Sequence, residues 1–183
     1  MFWKLMQAAV LVASGLALGG CPMGGARTAA PAKKPPAPDY QAAAATSTGN
    51  VNRNTCYNAA DLAVMNARML HQELVVATLQ CQTAGGARAF DTIYASYNSK
   101  FTPELTTNAR SLQQVAARKR LNVDVVVTEF ANRTAQRAPA DRDFCSRTLR
   151  ALEWAVDPKA TSLALVPPPY DLGPEMNIVP CPQ

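Results

Sequence analysis

Apolar residues recur at helical spacing through about a hundred positions of this chain, and the stretches on either side show no such period. Over 57–82, Leu62, Met65, Met69, Val76 and Leu79 form one stripe, and Ala63, Ala67, Leu70, Leu74, Ala77 and Cys81 form a second beside it. An apolar face that broad predicts a central helix with several partners. Gly85-Gly86 ends it. A shorter helix is predicted over 88–99, carrying Phe90, Ile93, Tyr94 and Tyr97. Thr102-Pro103-Glu104 then offers a hydroxyl cap, a first-position proline and a first-turn acid, the signature of a helix start. The third helix predicted from it reaches about residue 121, with Leu105, Ala109, Leu112 and Ala116 inward.

The run VDVVV at 123–127 reads two ways. Its β-branched residues favour a strand. Val123, Val126, Val127, Phe130 and Ala131 nevertheless share one helical face, and the sequence offers no partner strand, so a helix over 123–136 is predicted. Glu129 and Arg133 are spaced for a surface ion pair on it. A last helix over 141–156 puts Cys145, Leu149, Leu152 and Val156 on one face and Asp143 beside Arg147. The pattern predicts an all-α domain, a small bundle of about five helices over 56–157.

The flanks are of another kind. Residues 158–183 contain LVPPPYDLGPEMNIVPCPQ, too rich in proline for any regular element except polyproline II. They read as an irregular strap laid over the bundle and pinned by Cys181, with a Pro-rich partner motif as the alternative. Residues 22–55 are mostly Ala, Pro, Gly, Thr and Asn and carry no apolar period, the composition of a disordered, flexible tether. At the start, Lys4 precedes an apolar run that ends in small residues near position 20. That is the build of a secretory signal peptide over 1–20, too short to span a membrane as a helix.

Leu18-Gly19-Gly20-Cys21 resembles the lipobox of bacterial lipoproteins. The resemblance implies cleavage before Cys21, diacylglycerol on its thiol and acylation of the new amino group. Several acyl chains make a stable membrane anchor. Pro22 stands where inner-membrane lipoproteins commonly carry Asp, so the expected address is the outer membrane, with the inner membrane as the alternative and the domain facing the periplasm or cell exterior. The expected order is therefore a signal peptide over 1–20, a lipidated linker over 21–55, the bundle over 56–157 and the strap over 158–183.

Five cysteines are an odd number for an exported chain. With Cys21 acylated, Cys56, Cys81, Cys145 and Cys181 are enough for two disulfides in an oxidising compartment. Cys56 and Cys81 flank the first helix and are too far apart to bridge if it is unbroken. Two pairings are left: Cys56–Cys145 with Cys81–Cys181, or Cys81–Cys145 with Cys56–Cys181. Up-and-down alternation of five helices favours the first.

ELVVATLQC, YNSKFTPEL, TEFANRTA and the FC pair at 144–145 resemble landmarks of a group of secreted helical proteins of α-proteobacteria. The resemblance covers residues 56–157 and brings no catalytic motif. Many members of that group carry only the cysteines matching Cys81 and Cys145, which implies the second pairing.

The remaining chemistry is sparse. His71 is the sole histidine, so neither a two-histidine zinc motif nor a triad without it is available. There is no C-x-x-C, no glycine-rich phosphate loop and no metal or cofactor motif. Glu73, Glu104, Glu129 and Glu153 are the candidate carboxylates for cell-wall sugar chemistry. A net charge of +5 is too mild and too dispersed to predict a nucleic-acid partner. Arginine is dense late in the chain, and Arg118-Lys119-Arg120 is its tightest cluster, the candidate partner-binding surface. The expected function is a non-enzymatic binding or scaffolding role in an envelope-associated assembly. The alternatives are a carrier of a small apolar ligand, with Met65 and Met69 near its groove, and a cell-wall enzyme.

Overall fold

The computed structural model describes residues 37–44 and 56–182; the leader, Cys21 and the rest of the linker lie outside the described residues. The first helix, α1, runs over Ala59–Gln80. Asn58 caps it, its side chain accepting the Asp61 N–H at 2.8 Å and so satisfying one of the amides a helix start leaves orphaned. α1 packs against the three other helices of the described residues. Met65, Met69, Leu70, Leu74 and Ala77 are buried between them. Leu79, expected inward, is half exposed on a side of α1 that the other helices leave uncovered.

The second helix departs from expectation. α2 is one continuous helix over Asp91–Lys119, with Pro103 inside it, where two helices were predicted. Proline removes one backbone donor and crowds the carbonyl four residues back. Here that carbonyl belongs to Ser99, which is exposed, so water can take the missing bond. Tyr97 and Phe101 before the proline and Asn108, Leu112 and Val115 after it are buried on the same helix. A break would pull one of these groups away from the core. Thr102 does not cap; its hydroxyl donates back to the Asn98 carbonyl at 2.6 Å. Ala109, expected inward, is exposed.

Fusing the two predicted helices changes the parity of the bundle. With four described helices instead of about five, the end of α1 and the start of α4 (Phe144–Val156) fall at the same end. Cys81 and Cys145 are disulfide-bonded, with Cα atoms 5.7 Å apart, and Cys56 is bonded to Cys181, with Cα atoms 4.7 Å apart. The pairing of Cys56 with Cys145 and Cys81 with Cys181, drawn from five alternating helices, is thereby corrected.

α3 covers Val123–Arg137, so the valine run is helical. Asn122 caps it by accepting the Asp124 and Val125 amides at 2.9 and 3.2 Å, and Asp124 adds a first-turn acid. Val126, Phe130 and Thr134 are its buried face. On α4 the buried residues are Phe144, Thr148, Ala151, Leu152 and Ala155. That face is turned about one residue from the predicted one, since Phe144 has far more apolar area to bury than Cys145.

The strap is more regular than its prolines predict. Leu163–Leu165 and Pro174–Met176 are short 3₁₀ turns, and β2 (Tyr170–Asp171) pairs in parallel with β1 (Ala43–Ala44). β1 belongs to the segment expected to be flexible linker. Tyr40 also donates its hydroxyl to the Pro167 carbonyl at 2.8 Å. Ala160, Leu163, Val166, Tyr170, Leu172 and Ile178 join the helical core, so the strap completes the core instead of merely covering it. Its far end is held by Tyr57, which donates its N–H to Val179 and accepts the Cys181 N–H.

Candidate functional site

The Arg118-Lys119-Arg120 cluster stands at the end of α2, opposite the start of α1. Basic residues suit the last turn of a helix, where the carbonyl ends carry partial negative charge. Arg118 pairs with Asp61 of the first turn of α1 at 2.5 Å. The Lys119 ammonium donates to the Cys56 carbonyl at 2.5 Å and lies 4.9 Å from the centre of the Tyr57 ring. Arg120 ends the helix in the left-handed conformation, φ 56°, with its N–H directed to the Ala116 and Ala117 carbonyls. The Leu121 N–H returns to Ala116 at 2.8 Å, which completes a Schellman end.

These residues wall an open concavity of about 610 Å³. Tyr57, Asn58 and Asp61 line it from α1 and the residues just before it, and Arg118 to Leu121 from the end of α2. Met176 and Asn177 of the strap close it. Two of the three predicted cations thus have structural partners, while the Arg120 side chain is exposed and makes no ion pair or hydrogen bond among the described residues.

Four of the later arginines, Arg133, Arg137, Arg147 and Arg150, are turned toward the strap and linker. Arg137 pairs with Glu175 and Arg133 with Glu175 at 3.6 Å. Arg133 also meets Glu129 at 3.3 Å, as the spacing predicts. Arg147 reaches Asp141 at 3.6 Å, not Asp143, and Arg150 pairs with Asp39. Arg137 and Arg147 flank the Tyr170 ring at 5.2 and 5.6 Å, while the Tyr170 hydroxyl donates to Asp141 at 2.7 Å. That bond is the main reason the Asp141 carboxyl is held below its usual range.

The four candidate carboxylates are spread over four helices, and none lines the concavity. Glu104 accepts the Leu163 N–H at 2.9 Å, tying the strap to α2. Glu129 pairs with Arg133, and Glu153 lies on the exposed side of α4. Glu73 is the residue the sequence hid. It is 1 % exposed; one oxygen accepts the Tyr170 N–H at 2.9 Å and the other has no hydrogen-bond partner among the described residues. Burial pushes its carboxyl well above the ordinary range, the Tyr170 amide and Arg137 partly offset this, and Asp171 adds to it. One helical turn earlier, Met69 sulfur accepts the Leu172 N–H at 3.3 Å. A helix-spaced acid gives no sign in sequence that a distant strap amide will meet it.

His71 stacks on Tyr97, ring centroids 6.1 Å apart. Burial, with Arg68 nearby, pushes its pKa down to about 4, so the imidazole is neutral at neutral pH. Among the described residues no group of three or more His, Cys, Asp or Glu side chains gathers as a metal ion would require. No helix among them is long and apolar enough to cross a membrane. Compared with protein-family models, with curated proteins and with solved structures, the chain matches none.

Proposed function

We propose that the protein is a lipid-anchored binding or scaffolding component of a bacterial envelope assembly, held to the outer membrane through acyl chains on Cys21 and presenting its helical domain to the periplasm. The basic concavity at the meeting of α1, α2 and the strap is the docking surface and is the observation that carries the reading. Its lining sets Arg118, Lys119, Arg120 and Asp61 beside Tyr57, Leu121 and Met176, a mixed and open surface that favours a protein segment over a small apolar cargo. The carboxylates Glu73 and Glu104 are engaged with strap amides, which favours a binding role over sugar hydrolysis. Four of the five cysteines are used in two bridges, which leaves Cys21 as the odd thiol that lipidation would use.

Crosslinking in whole cells from an apolar photoreactive residue at position 121, which lines the concavity and leaves its cations in place, followed by pull-down from gently solubilised membranes, tests the docking role. One recurrent partner, lost when Arg120 is replaced by Glu, is the expected outcome; no recurrent partner removes the reading. Intact mass of the mature chain tests the anchor. A Cys21 N-terminus bearing acyl mass is expected, and an unmodified Cys21 overturns it.

A further inference from the structure

We infer that the concavity takes an acidic peptide segment of its partner, with a carboxylate at Arg118 and Arg120 and an apolar side chain against Leu121 and Met176. This rests on the binding role proposed above and gives it a ligand chemistry. Three cations face one carboxylate across the concavity. Lys119 is committed to the Cys56 carbonyl. Arg118 is committed to Asp61, but its side chain is 55 % exposed and open to a second acid. Arg120 brings a guanidinium with no partner of its own among the described residues, and a guanidinium fork fits a carboxylate with two parallel hydrogen bonds.

The backbone marks the same place. Arg120 and Asn177 are the two non-glycine residues with positive φ among the described residues, at 56° and 55°, and they line the concavity together. Glycine is the usual residue at such a helix end. An arginine there gives up backbone stability and projects a cation, and conformations of this kind gather at binding sites.

The apolar half of the partner is argued from exposure. Of three large apolar side chains exposed among the described residues, Leu121 and Val125 follow Arg120 within five positions, and Leu121 lines the concavity. The shape separates a peptide from a membrane: a hollow walled by three chain segments admits a projecting chain, whereas a lipid surface is flat.

The test uses the chain purified from membranes with its disulfides intact and reads fluorescence anisotropy. The probes are a short labelled peptide alternating glutamate with leucine, the same peptide with glutamine for glutamate, and phosphatidylglycerol vesicles. The acidic peptide should bind in a salt-sensitive way, and the glutamine version should bind at least about tenfold more weakly. Arg120→Glu should weaken the acidic peptide by about tenfold or more, and Arg120→Gln should weaken it less. Equal binding of the two peptides, no effect of Arg120→Glu on the acidic peptide, or vesicle binding that Arg120→Glu weakens while the peptide does not bind overturns the inference; vesicle binding that Arg120→Glu leaves unchanged belongs to the acyl anchor. If position 121 crosslinks to a partner in cells while the acidic peptide does not bind, the ligand chemistry fails and the docking role stands. If neither occurs, both fall.

Discussion

Helix α1 buries two acids, and their surroundings differ. Asp61, 5 % exposed, faces the half-exposed guanidinium of Arg118 at the edge of an open hollow. Glu73, three turns further on, is sealed under the strap, where its hydrogen bond among the described residues is to the Tyr170 amide. Burial alone does not decide what an acid does. Beside a cation that still reaches water, Asp61 helps hold a basic surface open. Beside an amide in the interior, Glu73 supplies the acceptor that a strap strand needs, because β2 has a strand neighbour on one side and the helix on the other.

The strap links the two regions, covering Glu73 at Tyr170 and walling the hollow at Asn177. Replacing Cys56 and Cys181 with Ser should therefore have the largest effect, about 2–5 kcal/mol lost in urea unfolding. The loss should be uneven. Amide exchange should quicken around Val179 and Cys181, while the Tyr170 and Leu172 amides, bonded to Glu73 and Met69, stay protected. Equal loss of protection at both places would join the two regions into one unit and remove the contrast.

Glu73→Ala comes next. It strands the Tyr170 N–H in the interior, at a cost of about 1–3 kcal/mol. Glu73→Gln keeps an acceptor and removes the titration. The folded-state pKa of Glu73 is raised above its ordinary 4.5. Its stabilising contribution is full below the ordinary carboxylate range and is lost as pH rises through the raised value. Stability of the glutamine variant relative to the native chain should therefore grow as pH rises above 4.5. His71 runs the other way: lowered from 6.5 to about 4, it gives its full contribution above 6.5 and loses it as pH falls toward 4. Urea melts at stepped pH separate the two, and a pH-independent difference for Glu73→Gln would show that Glu73 keeps an ordinary pKa.

Much of this contrast was legible in the sequence and some was not. The apolar period at 57–82 predicts α1 because Met65, Met69, Leu70 and Leu74 repeat on one face whatever packs against them. The same period at 123–136, with no partner strand in the sequence, outweighs the strand preference of its valines, and the Asn122 cap is what the structure adds. Thr102-Pro103-Glu104 misleads because a start signal is local, whereas the core contacts of Tyr97 and Leu112 that carry α2 through it are not. The strap misleads for the same reason: proline counts do not register Leu163, Tyr170 and Leu172, whose burial orders it. The cluster at 118–120 stands out by charge density. Its division into two anchors and one guanidinium without a partner among the described residues depends on where Asp61 and Cys56 fall, and no spacing rule relates those positions to α2.

A smaller effect is expected at Arg120. Arg120→Gly relieves a left-handed side chain at a helix end and should stabilise the fold by about 0.5–1 kcal/mol, while weakening acidic-peptide binding. A rise in melting temperature together with a loss of binding would mark a residue kept for its guanidinium. A fall in both would make Arg120 a structural residue.

Asp61→Asn should have a stability effect of about the same small size, in the opposite direction, and distinguishes the two acids most sharply. The amide keeps the size of the side chain and gives up its charge beside the Asn58-capped start of α1, where an acid contributes about 0.3–1 kcal/mol. It also ends the ion pair with Arg118, and a pair with a half-exposed partner adds at most about 1 kcal/mol. The sum should stay near 1 kcal/mol in urea unfolding. Binding should move in the opposite sense, because Arg118 is released and the hollow loses its one carboxylate, so the acidic peptide should bind a few-fold tighter. A stability loss above about 3 kcal/mol would show Asp61 to be as sealed as Glu73, with Arg118 compensating a buried charge instead of facing a partner. The two acids would then do the same work, and the open end of the bundle would have no claim to be a surface apart.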